Sequence, residues 1–149
     1  MEYLVFTMVG EEFGVPISQV KEILKTGPVS PLPRAPEFVD GIMRVRNHSI
    51  VVLDLRKHFG LPVVASHPAD NVVVMRHDKL IFGCLVDSVV DVVNLSSPQV
   101  DAGLRGVTHF IDKKLIEGVA LHGKRTIILV NVGCILNHDE KYKLEQLER

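Results

Sequence analysis

An internal repeat constrains the fold of this chain of 149 residues more than any other feature of its sequence. When the chain is shifted against itself by 69 positions, residues 13–24 match residues 82–93, and both stretches begin with Phe-Gly. A shift of 77 positions aligns a second pair of segments, residues 49–55 with residues 126–132. Because two blocks match in the same order, the pattern indicates a duplicated structural unit.

The duplicated unit determines the predicted domain organisation. Each copy has about 60–70 residues, which is near the lower limit for burying a core of its own. We therefore predict one domain over residues 1–138, built of two halves, about 1–67 and 68–138, that pack on each other and leave a groove at their junction. Residues 139–149 form a charged tail, which we expect to be a peripheral helix.

The composition favours strands over helices. The 46% apolar residues include 24 Val and 10 Ile, whose branched side chains are stiff and pack well on a pleated surface. Several short strands separated by turn formers predict an all-β fold, either a closed barrel or a sandwich. Strands are predicted at Leu4–Val9, Glu12–Pro16, Ser49–Leu53, Asn71–Met75, Leu80–Val86, Ile116–Leu121 and Thr126–Val132. Short helices are predicted at Ile17–Leu24, Asp54–Phe59 and about Asp139 to Glu148.

Charge and hydropathy exclude several classes of protein. The net charge is −1 and no basic stripe exists, so nucleic acid is not an expected partner. No uncharged run is long enough to span a membrane, and the one from Gly60 to Ala69 also contains two prolines. The N-terminus has no basic leader, so we expect a cytoplasmic protein.

We interpret Cys84 and Cys134 as buried free thiols, because their spacing suggests no disulfide framework.

Patterns that would indicate an enzyme are incomplete. Residues 118–125 resemble a phosphate-binding loop, but Arg125 stands where Ser or Thr would hold magnesium. The seven histidines lack the i, i+2 or i, i+4 pairs that place two metal ligands on one face, and no Gly-x-Ser-x-Gly elbow exists. We therefore predict no catalytic residue, no metal and no cofactor. A small metal-dependent hydrolase that uses the scattered histidines is the alternative from another class.

The proline-rich segment at residues 28–36 allows two interpretations. It has the composition of a polyproline ligand for an SH3-like partner. It also suits an extended crossover between hairpins, stiffened by the fixed φ angles of its prolines. The crossover is the interpretation that we prefer.

The ordered motifs resemble the CheW-like domain of bacterial chemosensory systems over about residues 3–136. The first half contains Phe-Gly-Val-Pro-Ile-x-x-Val-x-Glu-Ile-Leu at residues 13–24 and Ile-Val-Val-Leu-Asp-Leu-Arg at residues 50–56. The second half contains Leu-Val-Asp-Ser-Val-x-x-Val at residues 85–92 and Ile-Leu-Val-Asn-Val at residues 128–132. The resemblance implies two pseudo-symmetric five-stranded β-barrel subdomains with short helices.

The resemblance also implies a function. Proteins of this family are non-enzymatic adaptors that connect methyl-accepting receptors to the histidine kinase CheA, whose regulatory domain has the same fold. One subdomain meets that regulatory domain, and the groove between the subdomains takes the helical hairpin tip of the receptor. We expect a protein that is monomeric when free. An adaptor for a chemosensory pathway that controls pili or development is the alternative within the same fold.

The family's receptor-facing residues fall on Glu22 and Arg46, with Val20 beside them. A Glu–Arg pair can form a forked ion pair that orders a loop, although two unrelated surface charges are the simpler interpretation. Arg46 also departs from the repeat, since Gly123 stands at its place in the second copy. Most family members have Gly after this arginine. Asn47 stands there in this chain, and we expect it to support a left-handed turn.

Val90 and Val92 are the candidates for the kinase-facing surface. Val90 takes the place that Lys21 occupies in the first copy, a position that we expect to be exposed. An exposed pair of valines would form the apolar centre of an interface. The alternative is that both valines are buried in the core.

Overall fold

The computed structural model describes residues 1–62, 69–95, 111 and 113–147. In these residues the chain forms eleven strands, two α-helices and three short 3-10 turns. The strands are β1 Glu2–Met8, β2 Glu11–Pro16, β3 Val20–Lys25, β4 Val29–Ser30, β5 Gly41–Val45, β6 His48–Asp54, β7 Asn71–His77, β8 Leu80–Val86, β9 Ser88–Asn94, β10 Ile116–His122 and β11 Arg125–Val130. The helices are α1 Leu55–His58 and α2 His138–Leu147, and the 3-10 turns are Ile17–Gln19, Lys113–Leu115 and Val132–Cys134.

The strands form two sheets, which we name by their size. The five-stranded sheet has the order β10-β11-β2-β1-β9, and the six-stranded sheet has the order β3-β7-β8-β6-β5-β4. Antiparallel hairpins supply most of the pairing, while β11 with β2 and β6 with β8 are parallel. The predicted all-β fold with few helices is therefore confirmed.

The repeat predicted from the sequence is visible in the strands. A shift of 69 residues places β1 on β7, and a shift of 77 places the start of β5, Gly41, on Gly118 of β10. Each sheet nevertheless combines both copies, because β1 and β2 pair in the sheet that contains β9, β10 and β11. Sheet membership changes near residues 17 and 87. The boundary near residue 67 divides the repeat units and stays a prediction.

The buried apolar side chains of the described residues form three hydrophobic clusters. The largest contains side chains from both sheets, among them Phe6 and Met75, so it joins them. In it the rings of Phe6 and Phe13 stack with centroids 6.1 Å apart. Two smaller clusters each belong to one sheet: Val5 lies in the cluster of the five-stranded sheet, and Val74 lies in that of the six-stranded sheet. Since neighbouring residues of a strand point to opposite faces, each sheet is buried on both sides.

The helix predicted at Ile17–Leu24 is wrong for most of its length. Only Ile17–Gln19 form a 3-10 turn, and β3 follows from Val20 to Lys25. The spacing of Ile17, Val20 and Leu24 fits one face of a helix, which explains the prediction. Pairing with β7 decides the conformation, because it gives the β3 backbone hydrogen-bond partners from the second copy of the repeat.

The other predicted elements agree with the structure within a few residues, although β3, β4, β5 and β9 were not among the strands predicted. In the proline-rich segment, Val29–Ser30 form an edge strand on β5, as an extended crossover would. The C-terminal helix α2 is anchored by the fully buried Leu144, while Tyr142 is exposed. The last two residues of the predicted tail, 148 and 149, lie outside the described residues.

The two cysteines differ from each other. Cys84 is buried as predicted, and its burial raises the pKa of the thiol. Cys134 is exposed, so the prediction that both thiols are buried is wrong for this residue. It lies in the 3-10 turn after β11, where a short turn at the surface leaves the side chain in solvent.

Within the described ranges, no helix has the length and hydrophobicity needed to cross a bilayer.

Candidate functional site

Glu22 and Arg46 form the forked ion pair that their residue types allow. Arg46 Nη2 lies 3.1 Å from Glu22 Oε1, and Arg46 Nη1 donates a hydrogen bond of 3.4 Å to Glu22 Oε2. Glu22 lies on the edge strand β3, whereas Arg46 lies in the turn between β5 and β6, so the pair joins strands that β7 and β8 separate in the six-stranded sheet. The Arg46 side chain is 72% exposed and retains donors for a further ligand.

The turn that carries Arg46 has an unusual backbone. Val45 pairs with His48, so Arg46 and Asn47 form a two-residue hairpin loop. Arg46 has a φ of 57°, a left-handed conformation that is uncommon for a residue with a side chain. The left-handed turn that we expect here is present, but Arg46 and not Asn47 takes the left-handed conformation. Gly123 at the matching position of the second copy has a φ of 65°, which costs a glycine little.

A groove of about 570 Å³ lies beneath this ion pair. Its lining includes the apolar residues Val45, Ile50, Val74 and Ile81. The polar and charged residues of the lining are Lys21, Glu22, Arg46, His48 and Ser49. Leu147 of the C-terminal helix also lines the groove. An apolar groove with a few charged groups is the usual composition of a binding site.

Val20 is separated from the other two predicted receptor-facing residues. It is half-buried and packs against the large core cluster, and it does not line the groove. A register irregularity between Val20 and Glu22 leaves Lys21 exposed, as predicted for this position. The structure thus brings Glu22 and Arg46 together, while Val20, at the start of the same strand as Glu22, packs against the core.

Val90 and Val92 are exposed, which excludes the alternative that both are buried. Each side chain is 46% exposed on β9, an edge strand of the five-stranded sheet. The repeat partner of Val92 is Ile23, which is 42% exposed on β3. Both copies therefore present an apolar residue from an edge strand, and only the second copy presents two.

Sequence reasoning missed a second ion cluster, formed by one arginine and two carboxylates, at the matching position of the five-stranded sheet. Arg125 Nη2 lies 2.8 Å from Glu12 Oε1 and 3.0 Å from Asp91 Oδ1. The hydrogen bond from Arg125, followed by its charge, outweighs desolvation and holds the pKa of Asp91 below its usual value. The repeat contained a signal for this cluster, since Asp91 aligns with Glu22 at the shift of 69.

A buried charge network was also missed. Arg56 donates hydrogen bonds of 3.0 and 2.9 Å to the two carboxylate oxygens of Asp54, and it donates one of 2.9 Å to Asp87. These bonds to Asp54, together with the two charges, raise the pKa of Arg56 against the opposing effect of burial. Asp87 also accepts a hydrogen bond from the backbone of Val9. The network ties α1 to the β8–β9 connection and the β1–β2 turn, so we assign it a structural role.

The histidines do not assemble into a metal centre in the described part of the chain. No group of three or more His, Cys, Asp or Glu side chains there could hold a metal ion. His67 and His109 lie outside the described residues. His58 is less exposed than a loop histidine, since it contacts the Ile135 carbonyl and lies 3.8 Å from Glu140 of α2.

Two sheets that carry a charged-rimmed groove and an exposed apolar edge strand are typical of a protein-binding domain. The family model of the CheW-like domain matches residues 2–140, and the chain therefore belongs to the CheW-like family. The family predicted from the motifs is confirmed, and with it the coarse functional class, a scaffold or adaptor of chemotaxis signalling.

Individual relatives agree with the family model. The chain is 30% identical over 140 residues to "Chemotaxis protein CheW" of Klebsiella aerogenes, covering 93% of this chain and 83% of that one. The crystal structure of the scaffolding protein TtCheW from Thermoanaerobacter tengcongensis is similar with a TM-score of 0.79 and 25% identity, covering 93% of this chain and 89% of that chain. A shorter match, 29% identical over 89 residues, is to "Protein FrzA" of Myxococcus xanthus, covering 60% of this chain and 56% of that one.

Proposed function

We propose that this chain is a non-enzymatic cytoplasmic adaptor that couples methyl-accepting chemotaxis receptors to the regulatory domain of the histidine kinase CheA. It works without a cofactor and is monomeric when free. The observation that carries the proposal is the exposed, left-handed Arg46, which Glu22 holds above an apolar groove. Residues kept in costly backbone conformations are concentrated at functional sites, and the other copy has glycine here.

The groove beneath Arg46 suits the helical hairpin tip of a receptor. A helix that docks in a groove places apolar side chains on the floor and polar side chains at the rim. Val45, Ile50 and Ile81 supply such a floor. At the rim, Glu22 fixes one side of the Arg46 guanidinium, which leaves its other donors to bind a carboxylate or a backbone carbonyl of the receptor. Val20 supports this site from the core side.

The kinase-facing surface that we propose is β9 with Val90 and Val92. These valines lie on the five-stranded sheet, whereas the groove belongs to the six-stranded sheet. Separate surfaces allow an adaptor to bind two partners at once. The exposed valines are apolar anchors on an edge strand, and packing of such residues dominates the energetics of many interfaces.

The finer architecture is part of this proposal. We infer that each sheet curls into a barrel of five main strands, with the short β4 as an addition to the six-stranded sheet. The contact between Arg125 of β11 and Asp91 of β9 supports curling, because two strands lie between them in the sheet.

Arg46→Ala tests the receptor site. We expect receptor-dependent stimulation of CheA autophosphorylation, measured in reconstituted receptor membranes, to fall by about tenfold or more, as for loss of an interface hot spot. Direct binding to CheA should stay unchanged. Arg44→Ala, which removes an exposed arginine two residues earlier, is the matched control and should behave as the wild type. Full stimulation by Arg46→Ala would contradict the site assignment.

The similarity to FrzA favours a second candidate, an adaptor of a chemosensory pathway that does not control flagella. The fold and both surfaces would be the same, and only the partners would differ. A pull-down from the native cells, followed by identification of the bound kinase and receptor, separates the two candidates. A kinase encoded beside flagellar genes would support the first, and one encoded beside pilus or developmental genes would support the second.

A further inference from the structure

Arg125 makes more ionic contacts than any other side chain on the five-stranded sheet for which contacts are described. Its Nε and Nη2 atoms donate to Glu12 of β2 at 2.8 to 3.2 Å, and its Nη1 and Nη2 atoms donate to Asp91 of β9 at 3.1 and 3.0 Å. One guanidinium thus binds two carboxylates from two strands. A lysine could not reproduce this arrangement, because an ammonium group lacks the planar fork.

We propose that Arg125 is a positioning residue that holds β9 in the form in which Val90 and Val92 bind the regulatory domain of the kinase. The inference rests on the proposed kinase-facing surface and adds the element that organises it. Arg125 itself acts through Asp91, the residue between the two valines, and belongs to neither the groove nor the buried core.

The contact between Arg125 and Asp91 indicates that the five-stranded sheet is curved. Arg125 lies on β11 and Asp91 on β9, and the strands β2 and β1 lie between them. In a flat sheet, three strand spacings of about 4.8 Å would separate these strands by about 14 Å. Contact at 3.0 Å between side chains of these strands points to a sheet that curls and brings its edge β9 back towards β11. His122, at the end of β10, is close enough to lower the pKa of Asp91 as well.

Strand β9 needs such a restraint because its own pairing is irregular. Asp91 pairs with Val5 and Val89 pairs with Phe6, so Val90 lies in a register shift without a cross-strand partner of its own. Among the described strands, β9 lies at the edge of its sheet and pairs with β1 alone. An extra residue in one strand bends it locally and re-aims its side chains. Fixing Asp91 therefore fixes the directions of the valines on both sides of it.

The first copy of the repeat also has an arginine bound to a carboxylate of an edge strand, but this arginine is more exposed. There the equivalent carboxylate, Glu22, is bound by Arg46, whose side chain is 72% exposed and available to a partner. Arg125 is only 31% exposed and its donors are used by two carboxylates. The arginine of the first copy is thus suited to contact a partner, and that of the second copy is suited to organise the strand beside it.

The charges also show why Arg125 cannot be removed without moving β9. Glu12 and Asp91 both contact its Nη2 atom and would face each other without a cation. Like charges repel, so the edge strand would shift outwards. All three side chains are partly exposed, and surface ion pairs contribute little to global stability. We therefore expect a local change in β9 and little change in the melting temperature.

Arg125→Gln tests this role in the full chain against purified CheA from the same organism. The affinity for CheA should fall by about tenfold, which is within the range for loss of an interface residue. Amide hydrogens of residues 88–94 should exchange faster, while the melting temperature and receptor stimulation at saturating adaptor stay near those of the wild type. Arg125→Lys should recover only part of the affinity. Val92→Asp, which alters the surface itself, is the companion variant.

Each outcome decides between the two proposals. Loss of CheA binding by Val92→Asp but not by Arg125→Gln would overturn the role of Arg125 and keep the surface. No loss by either variant would overturn the kinase surface, and the role of Arg125 with it. An equal loss of CheA binding, receptor stimulation and melting temperature in Arg125→Gln would show a general structural role instead, and would overturn the positioning role.

Discussion

The two sheets have a similar arrangement of strands but differ in where their charged side chains lie. In the six-stranded sheet, Arg46 and Glu22 lie above an open groove whose floor includes Ile81. In the five-stranded sheet, the repeat partner of Ile81 is Glu12, and that of His48 is Arg125. These two residues form an ion network with Asp91, where the other sheet has an apolar floor.

The comparison teaches how a duplicated fold can acquire two different surfaces. The parallel pairs of both sheets keep equivalent registers: Val52 pairs with Gly83, and its repeat partner Leu129 pairs with Gly14. The copies differ at turns and edge strands, as Arg46 differs from Gly123 and Lys21 from Val90, and a change at such exposed positions costs little stability. The backbone is thus conserved between the copies while the partner-facing residues differ.

The largest expected effect on stability comes from the buried charge network, which the first copy has and the second copy lacks. Arg56 has Gly133 as its repeat partner, and Asp54 has Asn131. We expect Arg56→Ala to lower the free energy of unfolding by about 3–5 kcal/mol, because it leaves the buried Asp54 and the partly buried Asp87 without their cation. Urea unfolding measures the loss. Lys57→Ala, which breaks an exposed pair with Asp40, should cost at most about 1 kcal/mol. Equal losses in the two variants would show that the buried network contributes no more to stability than a surface ion pair.

An effect of intermediate size is expected at Gly83 and its repeat partner Gly14, which compare the packing of the two sheets. A Cβ at Gly83 would lie 2.8 Å from Val52 Cγ1 and 2.9 Å from a Val72 methyl, whereas at Gly14 its nearest neighbour, Ile127 Cγ2, is 3.1 Å away. We expect Gly83→Ala to destabilise the chain by about 1–3 kcal/mol through overpacking, and Gly14→Ala to destabilise it by less. Thermal unfolding of both variants decides this. A larger loss for Gly14→Ala would show that the five-stranded sheet is the more tightly packed.

The smallest effect concerns the pH dependence of Asp91. Arg125 lowers the pKa of this carboxyl in the folded chain, so its contribution to stability is present above the unfolded value of about 3.9 and is lost as the pH falls through the folded value. An NMR titration of the wild type should give a midpoint for Asp91 below about 3.9. In Arg125→Gln the midpoint should rise towards that value, and an unchanged midpoint would contradict the assigned cause.

Much of the fold could be predicted because the repeat and the alternation of β-branched residues are local patterns. The strand β3 could not, because the spacing of Val20 and Leu24 fits a helix and only the pairing with β7 selects a strand. The pair Glu22–Arg46 followed from the family resemblance. The cluster of Glu12, Asp91 and Arg125 required knowledge of sheet curvature, which no local pattern contains.

The central claim is that the two copies have become separate surfaces for two partners. The most direct measurement compares Arg46→Ala with Val92→Asp in two assays. The first is the affinity for CheA, and the second is receptor-dependent kinase stimulation at an adaptor concentration that saturates the wild type. Ile23→Asp, the repeat partner of Val92, is the control for a charge placed on an edge strand. We predict that Arg46→Ala loses receptor stimulation and keeps CheA binding, and that Val92→Asp loses CheA binding while Ile23→Asp keeps it. Loss of both activities in Arg46→Ala, or CheA binding by Val92→Asp equal to that of the wild type, would contradict the account.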